Sequence, residues 1–245
     1  MSGHSKWSTI KHKKATTDLR RGKLFSKILK EITVAARMGG GDPKGNPRLR
    51  TALLEARSNS VPGDNIDRAI KKGTGELEGE TYDEVIYEGY GTGGVAVLVE
   101  AATDNRNRTT AEVRHLFTRH GGSLAEAGSV AWMFKRRGWF SIERGEMTEE
   151  QLMELALELG VDDISVEEDR YEMYTALEDF STIQEALEAR NVPLAAKELA
   201  MIPQTTVEIR ADRANQILRL LEALEDHDDV QKVWANLDID ESVLA

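Results

Sequence analysis

From residue 139 onward, strand-length and helix-length apolar segments follow one another in an order that few folds accept. Trp139–Glu143 reads as a strand, and Thr148–Leu159 as a helix opened by a capping box and stopped by Gly160. Ile164–Glu167 and Tyr171–Thr175 read as a hairpin, Ser181–Arg190 as a helix and Lys197–Ile202 as a strand. The sum is βαββαβ, the ferredoxin-like order. Both flanks are incomplete without each other. Residues 81–134 offer a hairpin (Val85–Glu88 and Val95–Thr103), a helix opened by a Thr109–Glu112 capping box and ended by Gly121-Gly122, and a strand at Ser129–Phe134. After residue 203 come Thr206–Arg210, Ala214–Leu224 and Val230–Ala235, a βαβ tail too small to bury its own faces. The ferredoxin-like unit is therefore expected to be inserted into a split domain.

Ahead of this lies a helical region. Leu19–Met38 is amphipathic and ends at Gly39-Gly40-Gly41. Asn46-Pro47 opens a second helix to about Ser60, and Asp64 is expected to cap a short third one. The predicted fold class is α+β in three domains. Residues 1–80 form a basic arm and a three-helix bundle, 81–135 with 204–245 the split α+β domain, and 136–203 the insertion.

Charge is segregated along this order. Residues 1–72 hold 17 Lys and Arg against 6 Asp and Glu, whereas the other 173 hold 15 against 37. The net charge of −11 thus conceals a basic end that attracts polyanions. Cysteine is absent, which excludes thiolate chemistry and cysteine-ligated metals. The longest apolar run, Val95–Val99, is too short to span a bilayer. The start shows no secretory signal, so a cytoplasmic location without membrane contact is expected.

Candidate phosphate-binding residues cluster in the basic third. The arm offers Lys6, Lys11, His12, Lys13 and Lys14 around Trp7, which either stacks on an unpaired base or packs on the domain. In the first helix Arg20, Lys23, Lys27 and Lys30 fall on the side opposite Leu24, Phe25, Ile28, Leu29 and Ile32, with Arg21 adjoining. This row is expected to face phosphates. Arg57, Arg68, Lys71 and Lys72 extend the surface over the other two helices. A second candidate is the Asp104–Thr109 loop. Its Asn105, Arg106, Asn107 and Arg108 either fork onto phosphates and base edges or form a capped turn with arginines paired to acids.

Catalytic motifs fail on context. Gly89-x-Gly91-x-x-Gly94 spells a dinucleotide fingerprint, but Val95–Val99 follows as a strand where a helix N-terminus is required. Gly39–Asn46 lacks the Lys-Ser/Thr of a phosphate loop. His4, His12, His115, His120 and His227 show no metal-ligand spacing. The acidic run Glu225–Asp229 lacks a calcium loop's glycine and terminal glutamate and reads as a solvated turn. No catalytic, metal or cofactor site is expected.

Several segments together carry a family resemblance: Ser2–Trp7, Lys11–Lys14, Arg21–Phe25, Gly39–Pro43, Asn46–Arg50, Tyr87–Gly91, Asp104–Thr109, Ala131-Trp132 and Met201–Pro203. With the 220–230 segment they resemble the YebC/PmpR family, which includes the mitochondrial translational activator of cytochrome oxidase subunit I. The resemblance covers the whole chain and implies a helical first domain and a third domain inserted into the second. It also implies a non-enzymatic regulator of gene expression. Some members are described as DNA-binding transcriptional regulators, and others resemble ribosome-acting factors that relieve stalling at sequences such as proline runs. A basic arm with an aromatic, and no evident helix-turn-helix, favours RNA, ribosomal RNA included, and a translation factor; the sequence leaves the oligomeric state open, with a monomer as the expectation. A DNA-binding transcriptional regulator and a protein adaptor acting through the acidic domains are the alternatives.

Overall fold

A computed structural model describes residues 18–239 apart from residue 168. The described residues begin with three helices: α1 (Asp18–Gly39), α2 (Pro47–Ser58) and α3 (Gly63–Thr74). Ile28, Ile32, Ala35 and Ala36 of α1 meet Leu49, Ala52, Leu53 and Ala56 of α2 and Ala69 of α3 in one core. Asn46 caps α2 as the sequence predicts, its side chain accepting the Leu49 N–H. The same amide donates to the Ala35 and Gly40 carbonyls, so one residue fixes both ends of the turn. The third helix departs from expectation. It starts at Gly63 after Pro62, with no side-chain cap, and Asp64 lies in its first turn. Gly73 lets α3 approach α1 closely, because a Cβ there would stand 2.4 Å from the Thr33 carbonyl oxygen.

The strands and remaining helices are β1 (Asp83–Tyr90), β2 (Ala96–Thr103), α4 (Arg106–Arg119), β3 (Ser123–Leu124), β4 (Phe134–Glu143), α5 (Glu149–Leu159), β5 (Asp163–Val166) and β6 (Arg170–Thr175). They continue with α6 (Phe180–Ala189), β7 (Ala196–Pro203), β8 (Val207–Glu208), α7 (Ala211–Glu225), β9 (Val230–Ala235) and β10 (Leu237–Asp238). One sheet runs β3-β1-β2-β9, and β9 joins β2 antiparallel with Val97 opposite Ala235 and Val99 opposite Val233. The tail thus completes a sheet begun more than a hundred residues earlier. Val97, Val99, Phe117, Ile217, Leu220 and Val233 fill its core. The glycine run at 89–94 is a tight connection between strands, with Gly93 and Gly94 at positive φ.

Residues 132–206 close on themselves as one compact unit, and the remaining described residues form the other. The first of these has sheet order β5-β6-β4-β7, entirely antiparallel, the ferredoxin-like arrangement, over a core of Phe140, Ile142, Leu152, Met173 and Leu187. The strand expected at Ser129–Phe134 is different in kind. Ala131–Met133 is a 3-10 turn, and a single strand then runs from Phe134 to Glu143.

What removes residues 128–131 from strand pairing is Glu88. This carboxylate is 5% exposed and accepts the backbone N–H groups of Gly128, Val130 and Ala131 at 2.7, 2.6 and 2.8 Å. Burial pushes its carboxyl upward, but the three donors outweigh burial and leave it below the ordinary value. Glu88→Ala strands three donors and should lower stability by about 2–3 kcal/mol. A thermal melt within a degree of wild type would sink this reading.

Candidate nucleic-acid interface

Three cations of the α1 row, Lys23, Lys27 and Lys30, reach backbone carbonyls of the protein, a contact that the expectation of a stripe facing phosphate did not include. α7 carries no basic residue in its last turn, so its unsatisfied carbonyls and negative dipole end need donors from elsewhere. α1 supplies them. Lys23 Nζ donates to the Asp226 carbonyl at 2.8 Å, Lys27 Nζ to the Glu225 carbonyl, and Lys30 Nζ to the Asp228 carbonyl at 3.1 Å. Spacing of four and three residues along α1 puts the three ammonium groups on one side of the helix, against the carbonyls of Glu225, Asp226 and Asp228.

Lys30 also reaches the carboxylate on which the turn is built. Asp229, 5% exposed, accepts from Lys30 at 2.8 Å through Oδ1. Its Oδ2 accepts from Arg108 and Thr109 at 2.7 Å each and from Thr103 at 3.1 Å. Burial pushes this carboxyl upward, yet the hydrogen bonds from Lys30, Thr109 and Arg108 hold it well below the usual carboxylate range. The turn expected to be solvated is so at Asp226 and Asp228, which are exposed, whereas Asp229 is buried where α1, α4, β2 and the end of α7 meet.

The 104–109 loop is partly consumed by the same junction. Asn105, rather than Thr109, caps α4, accepting the Arg108 N–H at 3.1 Å, because the helix starts at Arg106 and Thr109 lies within its first turns, its hydroxyl donating to Asp229. Arg108 bridges Asp104 and Asp229 at 2.7 Å each, and both carboxylates raise its already high pKa. Arg106 and Asn107 stay exposed, with no side-chain bond to the described residues.

Glu112, His227 and Asp229 bring potential metal-ligand atoms within 4.8 Å of one another. Each donor is already committed. His227 Nδ1 accepts the Asp229 N–H at 3.1 Å and its Nε2 meets Glu112 at 2.9 Å, while two cations and two hydroxyls take the Asp229 oxygens. The cluster is therefore built as a hydrogen-bonded joint.

Other basic residues also serve the frame. Arg48 of α2 grips Glu31 of α1 at 2.7 Å and Glu84 of β1 at 2.6 Å, and the two carboxylates raise its pKa. What remains turned outward is a smaller set. Arg57 on α2 and Arg68, Lys71 and Lys72 on α3 are exposed, with no ion pair among the described residues. Lys44 and Arg50, absent from the expected set, are exposed beside them in sequence, and Arg50 donates to the Pro43 carbonyl at 3.2 Å. Lys6, Trp7, Lys11, His12, Lys13 and Lys14 lie outside the described residues, as do the side chains of Arg20 and Arg21. No helix among the described residues is long and apolar enough to cross a membrane.

A three-helix bundle latched by lysines onto a split α+β domain, with a ferredoxin-like insertion, defines the structural class. Residues 5–76 match the TACO1/YebC protein N-terminal domain, and residues 82–237 match the TACO1/YebC second and third domain. The chain belongs to the TACO1/YebC family. A probable transcriptional regulatory protein of Chlorobaculum tepidum is 54% identical over 100% of this chain and 98% of its own. One from Syntrophobacter fumaroxidans is 55% identical over the same shares. The crystal structure of a conserved hypothetical protein from Aquifex aeolicus superposes with a TM-score of 0.88 at 50% identity, covering 98% of this chain and 100% of that one.

Proposed function

We propose that this protein is a non-enzymatic, nucleic-acid-binding regulator of gene expression that acts on RNA at the ribosome and relieves stalled translation. One observation carries the reading. After the frame has used Lys23, Lys27, Lys30, Arg48 and Arg108, the bundle still presents Arg57, Arg68, Lys71 and Lys72 outward, and the sequence before it is rich in lysine. Four dispersed cations and a basic arm suit the irregular backbone of folded RNA.

The geometry of the helices disfavours duplex reading. α2 and α3 each pack mainly on α1, whereas a helix-turn-helix stacks its two helices on each other to brace one in the major groove. The names of the relatives support a second reading, a DNA-binding transcriptional regulator. Ribosome co-sedimentation set beside DNA mobility shifts at matched salt separates the two. Pelleting with ribosomes at physiological salt, with only weak and sequence-indifferent DNA shifts, is the expected result. Tight, sequence-selective DNA binding without ribosome association would overturn the proposal.

A further inference from the structure

The insertion carries a surface feature outside the basic set proposed to meet nucleic acid. Helix α5 is well made: Thr148 and Gln151 form its capping box, and Leu152 and Ala156 are buried. On its outer side Met153 is 43% exposed and Leu157 84% exposed, one turn apart. Beside them Glu150, Glu154 and Glu158 repeat at four-residue intervals, with Glu149 on the opposite flank. Like charges at this spacing weaken an isolated helix, and α5 contains no lysine or arginine to offset them. Among the described residues only Glu158 of this row has an ion-pair partner, Arg190. A shallow concavity lined by Thr148, Glu149, Glu150, Met153 and Glu154 lies at the first turns. An exposed leucine in a row of glutamates adds helix propensity but buries little apolar surface within this chain.

We infer that the outer face of α5 is a docking surface for a cationic amphipathic helix of another protein. Charge selects this occupant. Residues 132–206 hold 17 acidic against 7 basic residues, so nucleic-acid phosphates and anionic lipid are repelled. A second copy of this chain would set one glutamate row against another. A helix with leucines one turn apart and lysines alongside places its apolar side chains on Met153 and Leu157 and its ammonium groups on Glu150 and Glu154. The apolar pair supplies the hold, while the glutamates supply orientation and rate of encounter.

The probe is a labelled 14-residue Leu/Lys amphipathic peptide, titrated into the full chain by fluorescence anisotropy across a salt series, with amide shifts mapped by NMR. Shifts centred on 149–158 are expected, and Leu157→Asp should weaken binding by about tenfold despite adding a negative charge. The uncharged Leu157→Ala should weaken it several-fold. Leu177→Asp, at a site 46% exposed in the same unit, is the control and should leave binding within about twofold of wild type. Three outcomes would overturn the inference: equal response to all three substitutions, shifts spread over the acidic surface, or a wild-type dimer that Leu157→Asp dissociates. Because α5 lies apart from the basic helices in sequence, loss of RNA binding by bundle variants leaves this test untouched.

Discussion

Asp229→Ala is expected to lower the stability of the unit containing the helical bundle by about 3–5 kcal/mol. The substitution leaves Lys30 and Arg108 without their shared carboxylate and takes one acceptor from the buried hydroxyls of Thr103 and Thr109. For a unit of this size a loss of about 3 kcal/mol lowers Tm by roughly 6–12 °C. Hydrogen exchange should locate the damage in α1, α4 and α7 and spare residues 134–203, which form their own compact unit. The carboxyl also gives a pH signature. Its pKa is depressed on folding, so its contribution is present above the unfolded value, near 3.8, and is lost as pH falls through the folded one. Wild type should therefore lose stability below about pH 4 more steeply than Asp229→Asn. A variant melting within two degrees of wild type would show that the junction is incidental.

That junction marks where sequence and structure part. Alternation of apolar residues was enough to read the βαββαβ order, because a buried strand face and a buried helix face leave different periods. Local chemistry was equally legible at Asn46 and at Thr148, where a cap and its recipient N–H sit three residues apart. Long-range demand is what local reading missed. Thr109 looks like a capping residue beside Glu112, but the helix starts three residues earlier, Asn105 caps it, and the Thr109 hydroxyl reaches Asp229, 120 residues away. Periodicity likewise showed that Lys23, Lys27 and Lys30 share one side of α1, and could not show what that side touches. A signal did exist: the acidic run after Leu224 follows a helix with no basic residue in its last turn, and such an end needs cations from another element. The Ser129–Phe134 expectation failed for a related reason, since one glutamate on β1 gathers three amides that a strand would have paired.

The same division between cations that hold the frame and cations that face outward sets the largest expected effect on binding. Replacing Arg57, Arg68, Lys71 and Lys72 together by glutamine removes up to four phosphate contacts while leaving the bundle core of Ile32, Leu49 and Ala69 untouched. On single-stranded RNA each contact contributes about 0.7 to the slope of log K against log salt, so the slope should become shallower by up to about 2.8. At about 0.1 M salt that corresponds to an affinity loss on the order of 10²–10³, similar for all sequences because phosphate contacts carry no code. Neutralising Lys23 and Lys27 should do the opposite on both counts. Their ammonium groups cap α7, so the melt should fall while the salt slope stays that of wild type. Binding titrations across a salt series, paired with melts of the same samples, decide between them. If the Lys23/Lys27 variant keeps its Tm and loses slope, α1 releases α7 to meet nucleic acid, and the outward cations of α2 and α3 are not the principal contact.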